Sequence, residues 1–307
     1  MKRSNSKPIW TGPECLTCLS LITYDLLKRA TDDPILQIKG MKKTYEALDE
    51  FELDDLPTTV ANKIYRMVLE LTQNFDPFRN IKQKSSILAK DAIKQIKPHI
   101  VAGRNPYERF RRALAASITG NMIDFGTAGH SIELNIEFLE RNYYKIYEEG
   151  FAIDYSRQLF EALSKKKEII FVADNAGEVY FDLVLLELMK RKQVSIIFAV
   201  KGAPISNDAT MEDINDPIFK KVTTNIITTG SGALGVSVTE SSQEFLKYIQ
   251  TVDFIVAKGQ SNFETLYYHY NILTNKPIFF IFRTKCSCIS HFLGETIGRN
   301  IILLKNK

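Results

Sequence analysis

The stretch Phe171-Val172-Ala173-Asp174-Asn175-Ala176-Gly177-Glu178 decides the fold that we predict for this chain. It completes an apolar, largely β-branched run over residues 168–173, which is typical of a buried strand. Asp174 and Asn175 follow directly, and the amphipathic segment after them, residues 179–191, predicts a helix. In an open α/β sheet, ligands bind beyond the carboxyl ends of the strands. The two polar residues therefore occupy a position where their oxygen atoms can ligate a hard cation.

The same pattern recurs over the second half of the chain. Strands are predicted at residues 168–173, 194–200, 225–229, 253–257, 277–282 and 300–304. Because these runs are apolar almost throughout, we expect strands buried on both faces, in a mostly parallel sheet between helices. The first five strands each end in a polar loop, and most of these loops contain glycine. This repetition favours a shared site over the simpler interpretation, in which Asp174 caps a helix and Asn175 turns the chain.

The first half of the chain has helical periodicity instead. Helices are predicted at residues 15–30, 41–48, 60–74, 82–96, 106–118 and 132–147. Gly40 is expected to interrupt the helical pattern, and Pro98 is expected to end the helix before it. We therefore divide the chain into a helical N-terminal subdomain, residues 1–150, and an α/β core that binds metal and phosphate, residues 151–307.

The composition is that of a soluble globular protein. Hydrophobic residues make up 45% of the 307 residues and charged residues 25%. The net charge of +4, from 40 basic and 36 acidic residues, is too balanced to indicate a nucleic acid or a membrane as a partner. The basic residues at the start of the chain are not followed by an apolar run of signal-peptide length. No apolar run in the sequence is long enough to span a bilayer. We expect a cytoplasmic protein.

The four cysteines form two close pairs, Cys15-Leu16-Thr17-Cys18 and Cys286-Ser287-Cys288. In a chain of this length they do not indicate a secreted disulfide framework. A CxxC spacing suits a metal or a redox pair, and if the two ends of the chain meet, four thiolates have the ligand number of a tetrahedral zinc site. The alternative is that the cysteines are small apolar residues packed near the core. The CxC spacing, which is uncommon in zinc sites, favours this alternative.

Polar residues at the strand ends converge on one edge if the sheet is parallel. They are Asp174, Asn175, Asp208, Ser231, Lys258, Asn262 and Lys285. Two carboxylates and an amide oxygen suit one divalent cation, Mg²⁺, Mn²⁺, Co²⁺ or Ni²⁺, and the four scattered histidines argue against a His-rich zinc centre. The backbone of Gly230-Ser231-Gly232 can form an anion nest. With Lys258 adding positive charge, the loops suit a phosphoryl group beside a metal.

Each of these features also has a simpler interpretation. Gly230-Ser231 can be a plain turn, Lys258 a surface lysine, and Asp208 the cap of a helix that begins at Ala209. The glycine spacing matches neither the Walker phosphate-binding loop nor the dinucleotide-binding motif. Only the shared position at the strand ends favours the joint interpretation.

Several segments carry a resemblance to a known family. They are Asp174-Asn175-Ala176-Gly177-Glu178, Lys201-Gly202-Ala203-Pro204 with Asn207-Asp208-Ala209-Thr210, Lys258-Gly259-Gln260-Ser261-Asn262-Phe263-Glu264-Thr265-Leu266, and Gly120-Asn121-Met122-Ile123-Asp124. Together they resemble the DUF89 family of metal-dependent damage-control phosphatases, the last segment resembling its GNxxD motif. Cys15-Leu16-Thr17-Cys18 and Lys285-Cys286 are similar to its small prokaryotic, chiefly archaeal, branch. Ser261, where that branch more often has glycine, and Cys288 depart from the pattern.

The resemblance implies a Rossmann-like three-layer α/β core beside the helical subdomain. It implies one divalent cation held by Asp174, Asn175 and Asp208, and a small phosphorylated metabolite, a sugar phosphate or related phosphomonoester, as substrate. The residues that it implies act in catalysis are Asp174, Asp208 and Lys258. Those that it implies contact the substrate or its phosphate are Asn121, Asp124, Glu178, Ser231, Gly232, Asn262 and Lys285.

We therefore expect a metal-dependent phosphomonoesterase. The sequence leaves open whether water or Asp174 attacks phosphorus, since a carboxylate can either become phosphorylated or hold the metal. It also leaves open a non-catalytic module that binds a phosphorylated metabolite or nucleotide, because binding and cleavage use the same donors.

Overall fold

The computed structural model of the protein describes residues 11–123, 135–163 and 167–306. Among these residues the helices are α1 (Pro13–Ala30), α2 (Pro34–Asp49), α3 (Pro57–Thr72), α4 (Arg79–Val101), α5 (Pro106–Gly120), α6 (Ile136–Glu149), α7 (Ser156–Ala162), α8 (Glu178–Arg191), α9 (Pro217–Val222), α10 (Gln243–Thr251), α11 (Gln260–Tyr268), α12 (Tyr270–Leu273) and α13 (Ser287–Leu293). The strands are β1 (Ile153–Asp154), β2 (Glu168–Val172), β3 (Ser195–Val200), β4 (Asn225–Thr228), β5 (Phe254–Lys258), β6 (Ile278–Arg283) and β7 (Asn300–Lys305).

The strands form one sheet in the order β1-β7-β6-β5-β2-β3-β4. All neighbours pair in parallel except β6 and β7, which pair antiparallel. The six predicted strands are confirmed, each to within one residue at either end. Strand β1 was not predicted, because two residues are too short to show a period. The carboxyl ends of β2 to β6 lie on the same edge of the sheet, as the site prediction requires.

The core consists of two apolar layers, one on each face of the sheet. Ile169 and Phe171 belong to the layer formed with α4 to α9, while Ile170 and Val172 belong to the layer formed with α10 to α13. This alternation along β2 follows from the period of two in a strand. A sheet between two helical layers is the three-layer α/β sandwich that was predicted.

The helical first half of the chain takes part in two different clusters. Helices α1 and α3 pack in an apolar cluster of their own, around Leu26, Ile64 and Val68. Helices α4 to α6 instead share the apolar layer on one face of the sheet. The division at residue 150 stays a prediction, and this packing runs across it.

Two predicted helix boundaries are wrong. Gly40 lies inside α2 and does not interrupt it. A Cβ atom at this position would lie 2.5 Å from Leu27 Cδ2 on α1, so the glycine allows the two helices to pack closely. Pro98 lies inside α4, because Ile96 and Ile100 on either side of it are both fully buried in the same layer. Tertiary packing therefore outweighs the local signal at both positions.

Among the described helices, none is both long enough and apolar enough to cross a bilayer.

Candidate active site

Backbone pairing joins the loops that follow β2 and β3. Ala176 N donates to Asn207 O at 2.9 Å, and Ala209 N donates to Asp174 O at 2.8 Å. Asn175 and Asp208 form an antiparallel bridge between these two hydrogen bonds. The pairing brings Asp174, Asn175 and Asp208 together although the last two are 33 positions apart in the sequence. Because no helix begins at Ala209, Asp208 is not a helix cap.

Two amide side chains hold the carboxylate of Asp174 from the protein interior. Asn121 Nδ2 and Asn175 Nδ2 each donate to Asp174 Oδ2 at 2.9 Å, and each also donates to Glu178 Oε2 at 2.9 Å. All four side chains are at least 95% buried. Since the amide nitrogen of Asn175 serves both carboxylates, its Oδ1 is the atom of that amide group suited to bind a cation.

Asp208 has a cation beside it. Its Oδ2 lies 3.4 Å from Lys201 Nζ, and both side chains are nearly fully buried. Lys201 Nζ also donates to the carbonyl oxygen of Gly235. This contact fixes the position of Asp208 relative to the end of β3.

A buried ionic cluster lies behind the two amides. Lys258 Nζ contacts Glu178 Oε1 and lies 2.8 Å from Asp182 Oδ1, and none of the three side chains is exposed. Ser117 Oγ donates to Asp182 Oδ1 at 2.6 Å. Burial raises the pKa of Asp182 to about 6, although the positive charge of Lys258 opposes the shift. Burial alone would lower the pKa of Lys258, but Asp182 and Glu178 outweigh it and raise that pKa.

A cavity of about 210 Å³ opens at this edge of the sheet. One part of its wall is polar and contains Asp174, Asn175, Ser206, Asn207, Asp208, Gln260, Ser261 and Lys285. Another part comes mainly from α1 and α3 and is largely apolar; it contains Leu19, Ile22, Pro57, Ala61, Tyr65, Leu234 and Ile289. The cysteines Cys15, Cys18, Cys286 and Cys288, the acids Glu14 and Glu264, and Thr58 complete the lining.

The structure separates the predicted site residues into two groups. Those that line the cavity are Asp174, Asn175, Asp208 and Lys285. Those that do not are Asn121, Glu178, Ser231, Gly232, Lys258 and Asn262, and Asp124 lies outside the described residues.

Two predicted phosphate contacts, Lys258 and the loop around Ser231, stay predictions and have other surroundings than the cavity wall. Lys258 is neither a surface lysine nor part of the cavity wall, because it is enclosed by Glu178 and Asp182. The glycine loop packs on its neighbour: Gly202 N donates to Ser231 O at 3.0 Å, and a Cβ on Gly232 would lie 3.0 Å from the carbonyl oxygen of Pro204. This loop therefore supports the strand-end loop after β3.

Asn262 is also a supporting residue. Its Nδ2 donates to Ala173 O at 3.1 Å and to Lys258 O at 2.7 Å, and the side chain is fully buried. These bonds tie the carboxyl end of β2 to that of β5. Asn262 thus positions Asp174 without lining the cavity itself.

Sequence reasoning missed several polar residues of the cavity wall, Gln260 and Glu264 among them. Gln260 Nε2 donates to Glu264 Oε1 at 3.0 Å, one turn apart on α11, and burial raises the pKa of Glu264 to about 7. Their spacing of four residues in the predicted loop-to-helix segment was the available signal. Glu14 gave no such signal, because it reaches the cavity only through the packing of α1.

The two ends of the chain do meet at the cavity. Cys15 Sγ and Cys288 Sγ lie 3.9 Å apart. Within the described ranges, however, no group of three or more His, Cys, Asp or Glu side chains has the arrangement of a metal site. The four-thiolate zinc site is therefore not supported. The pair of carboxylates with one amide oxygen is a different donor set, and it is the one that suits a hard cation.

Comparison with known proteins agrees with the resemblance seen in the motifs. The family model of the damage-control phosphatase ARMT1-like domain matches residues 11–301. The chain belongs to this family. The prediction of a DUF89 damage-control phosphatase family member is thus confirmed, while its assignment to the CxxC-bearing branch stays a prediction.

Three archaeal relatives match this ARMT1-like chain over nearly its whole length. A protein of Methanocaldococcus jannaschii without a described function is 34% identical over 294 residues, covering 95% of this chain and 94% of the relative. A damage-control phosphatase of Archaeoglobus fulgidus is 30% identical over 290 residues, covering 94% and 96%. A damage-control phosphatase of Pyrococcus horikoshii is 31% identical over 296 residues, covering 96% and 97%.

The fold of the ARMT1-like chain is also that of a solved relative. The crystal structure of a DUF89 family protein from Pyrococcus horikoshii matches with a TM-score of 0.84 and 30% sequence identity. The match covers 97% of this chain and 99% of that one. The predicted fold class is confirmed by this comparison.

Proposed function

We propose that this protein is a metal-dependent phosphatase that hydrolyses a small phosphorylated metabolite. The observation that carries the proposal is the backbone bridge between Asn175 and Asp208. It brings two carboxylates and an amide to the wall of one cavity, on a chain whose family relatives include named damage-control phosphatases.

The proposed metal ligands are Asp174, Asn175 and Asp208. Carboxylate and amide oxygens suit Mg²⁺, Mn²⁺, Co²⁺ or Ni²⁺. A bound divalent cation supplies Lewis acidity and neutralises negative charge on a phosphoryl group.

The remaining residues position these ligands. Asn121 and Asn175 donate to Asp174 Oδ2 and so stabilise its charged form. Lys258 acts through Glu178, which accepts hydrogen bonds from both amides. In this proposal Lys258 is a positioning residue, and Lys285 on the cavity wall is the cation that binds the phosphate.

The apolar wall indicates the chemical class of the substrate. Leu19 and Ile22 on α1 and Ala61 on α3 line the same cavity as Asp174 and Asp208. A sugar phosphate has hydroxyl groups that such a wall leaves without hydrogen-bond partners, and that costs binding energy. We therefore favour phosphate esters whose alcohol carries an apolar group small enough for a cavity of about 210 Å³.

The test is an assay of metal-stripped protein on para-nitrophenyl phosphate, with each of the four cations added back in turn. We expect phosphate release that depends on the cation and falls by at least about a hundredfold in Asp208→Asn, since a missing metal ligand costs a few kcal/mol or more of transition-state stabilisation. Asp91→Asn is the matched control, because Asp91 is half-exposed and pairs with Lys94 at the surface of α4. Full activity of Asp208→Asn contradicts the proposal, and saturable ester binding without release under any cation favours the non-catalytic module.

A further inference from the structure

Two cysteines from opposite ends of the chain lie close together beside the cavity. Cys15 is in the first turn of α1 and Cys288 in the first turn of α13, 273 positions apart in the sequence. Their Sγ atoms are 3.9 Å apart. Neither thiol belongs to the proposed metal site or to the hydrogen-bond network behind it, so the proposed function does not account for this pair.

Gly12 packs beside the two thiols. Gly12, just before α1, has no side chain, and a Cβ there would lie 3.4 Å from Cys288 Sγ. Glu14 Oε2 accepts from Cys288 Sγ at 3.8 Å. Disulfide formation needs the two sulfurs to approach to about 2.05 Å, so their separation must shorten by roughly 2 Å. Rotation of the two side chains and a small movement of α1 can supply this change.

We propose that Cys15 and Cys288 are a disulfide-forming pair that clamps α1 onto α13 when the protein meets a low-molecular-weight disulfide. The bond would join the cluster of α1 and α3 to the helical layer that contains α13. It would do so on the cavity wall, which both cysteines line.

The reaction is two steps of thiol–disulfide exchange. The thiolate of Cys288, which is partly exposed, attacks one sulfur of the small disulfide and releases one thiol. Cys15 then attacks Cys288 Sγ and releases the second thiol. The small disulfide is reduced to two thiols, which take up the two protons, and the two cysteines are oxidised to one disulfide.

The environment of Cys15 fits the second step and not the first. Burial raises the pKa of its thiol to about 12, and the neighbouring Cys288 adds to the shift. Such a thiol reacts slowly with an oxidant in solution. It can still attack a neighbouring mixed disulfide, where proximity replaces a bimolecular encounter.

Two other cysteines line the same cavity and provide internal comparisons. Cys18 is one turn after Cys15 on α1, so a Cys15–Cys18 bond would join neighbours within one helix and clamp nothing. Cys286 Sγ accepts from Gln260 Nε2 at 3.3 Å. The Cys15–Cys288 pair is the one for which the structure brings two sulfurs together.

The test is peptide mapping under non-reducing conditions after the full-length protein has been treated with oxidised glutathione and its remaining thiols alkylated. We expect one linked peptide pair, joining Cys15 to Cys288, in the wild type and in Cys18→Ser. We expect no linked pair in Cys288→Ser. Oxidation should raise the Tm of the wild type, and dithiothreitol should reverse this rise. The Tm of Cys288→Ser should not rise on oxidation. A Cys15–Cys18 linkage, or four cysteines that remain alkylatable after oxidation, overturns the proposal. Neither readout uses phosphatase activity, so failure of this inference is distinct from failure of the proposed function.

Discussion

Gly259 leaves no room for a side chain beside Asp174. A Cβ atom at Gly259 would lie 2.0 Å from Asp174 Oδ2, and the residue has a φ of 81°, which favours glycine. The backbone that follows β5 thus forms one side of the space that holds the carboxylate. Any residue other than glycine must displace Asp174, the most constrained member of the proposed metal site.

Gly259→Ala is therefore expected to weaken divalent cation binding and to lower phosphatase activity by at least about tenfold, because Asp174 must leave its two amide donors. Activity against the concentration of added Mn²⁺ measures this effect. Gly294→Ala is the matched control: its φ is 74° but nothing lies within 4 Å of its Cβ position, so we expect a stability loss of about 1 kcal/mol with normal activity. Equal behaviour of the two variants would contradict the role of Gly259.

Lys258→Met is expected to lower the free energy of unfolding by about 3–5 kcal/mol, because Glu178 and Asp182 are left buried without their cation. Chemical denaturation measures the change. Lys94→Met removes an exposed pair with Asp91 and should cost less than about 1 kcal/mol. If Lys258→Met loses activity while its stability is unchanged, Lys258 contacts the phosphate and our assignment of a positioning role is wrong.

Glu264 gives the protein a pH-dependent stability. Burial raises its pKa from 4.5 to about 7 in the folded protein. Between these two pH values the folded protein therefore keeps a proton on Glu264 that the unfolded chain loses. The free energy of unfolding should therefore fall as pH rises from 4.5 to about 7, by roughly 3 kcal/mol from this group, and level off above. Denaturation of Glu264→Gln across this range should show a fall smaller by roughly 3 kcal/mol, the remainder coming from Asp182, whose pKa burial raises to about 6. Glu244→Gln, at an exposed site on α10, should retain the full fall. A wild-type slope that persists undiminished in Glu264→Gln would assign the effect to another group.

Ile22→Asn tests the apolar wall of the cavity. Ile22 lines the cavity and is partly exposed, so its replacement should raise KM for para-nitrophenyl phosphate about tenfold while kcat changes little, which corresponds to about 1.4 kcal/mol of lost apolar contact. Leu21→Asn changes the neighbouring residue, which is exposed and does not line the cavity. An equal KM for para-nitrophenyl phosphate in the wild type, Ile22→Asn and Leu21→Asn would contradict the proposed substrate class. A lower KM of the wild type for glucose phosphate than for para-nitrophenyl phosphate would also contradict it.

The fold could be predicted because its strands are buried on both faces. Such strands are apolar almost throughout, and their polar ends mark where they stop, which is why β2 and β3 were located to within one residue. Gly40 and Pro98 could not be interpreted correctly, since the contact with Leu27 and the burial of Ile96 and Ile100 arise only from packing between elements.

The candidate site was predicted in part for a related reason. Parallel strands bring Asp174 and Asp208 to one edge whatever the details of packing, so their approach could be inferred from the order of elements. The burial of Lys258 could not be inferred in this way, because a lysine at the end of a strand is usually solvated. The sequence did contain a signal: Glu178 and Asp182 are four residues apart at the start of α8, and two acids on one buried helical face require a cation.

The central claim is that Asp174, Asn175 and Asp208 hold one cation, and anomalous diffraction from a crystal soaked with Mn²⁺ tests it most directly. We predict a single strong peak on the cavity wall, within about 2.0–2.6 Å of an oxygen of each of the three side chains. A peak bound by the cysteines at the other side of the cavity, or none near Asp174 at saturating Mn²⁺, would contradict the account.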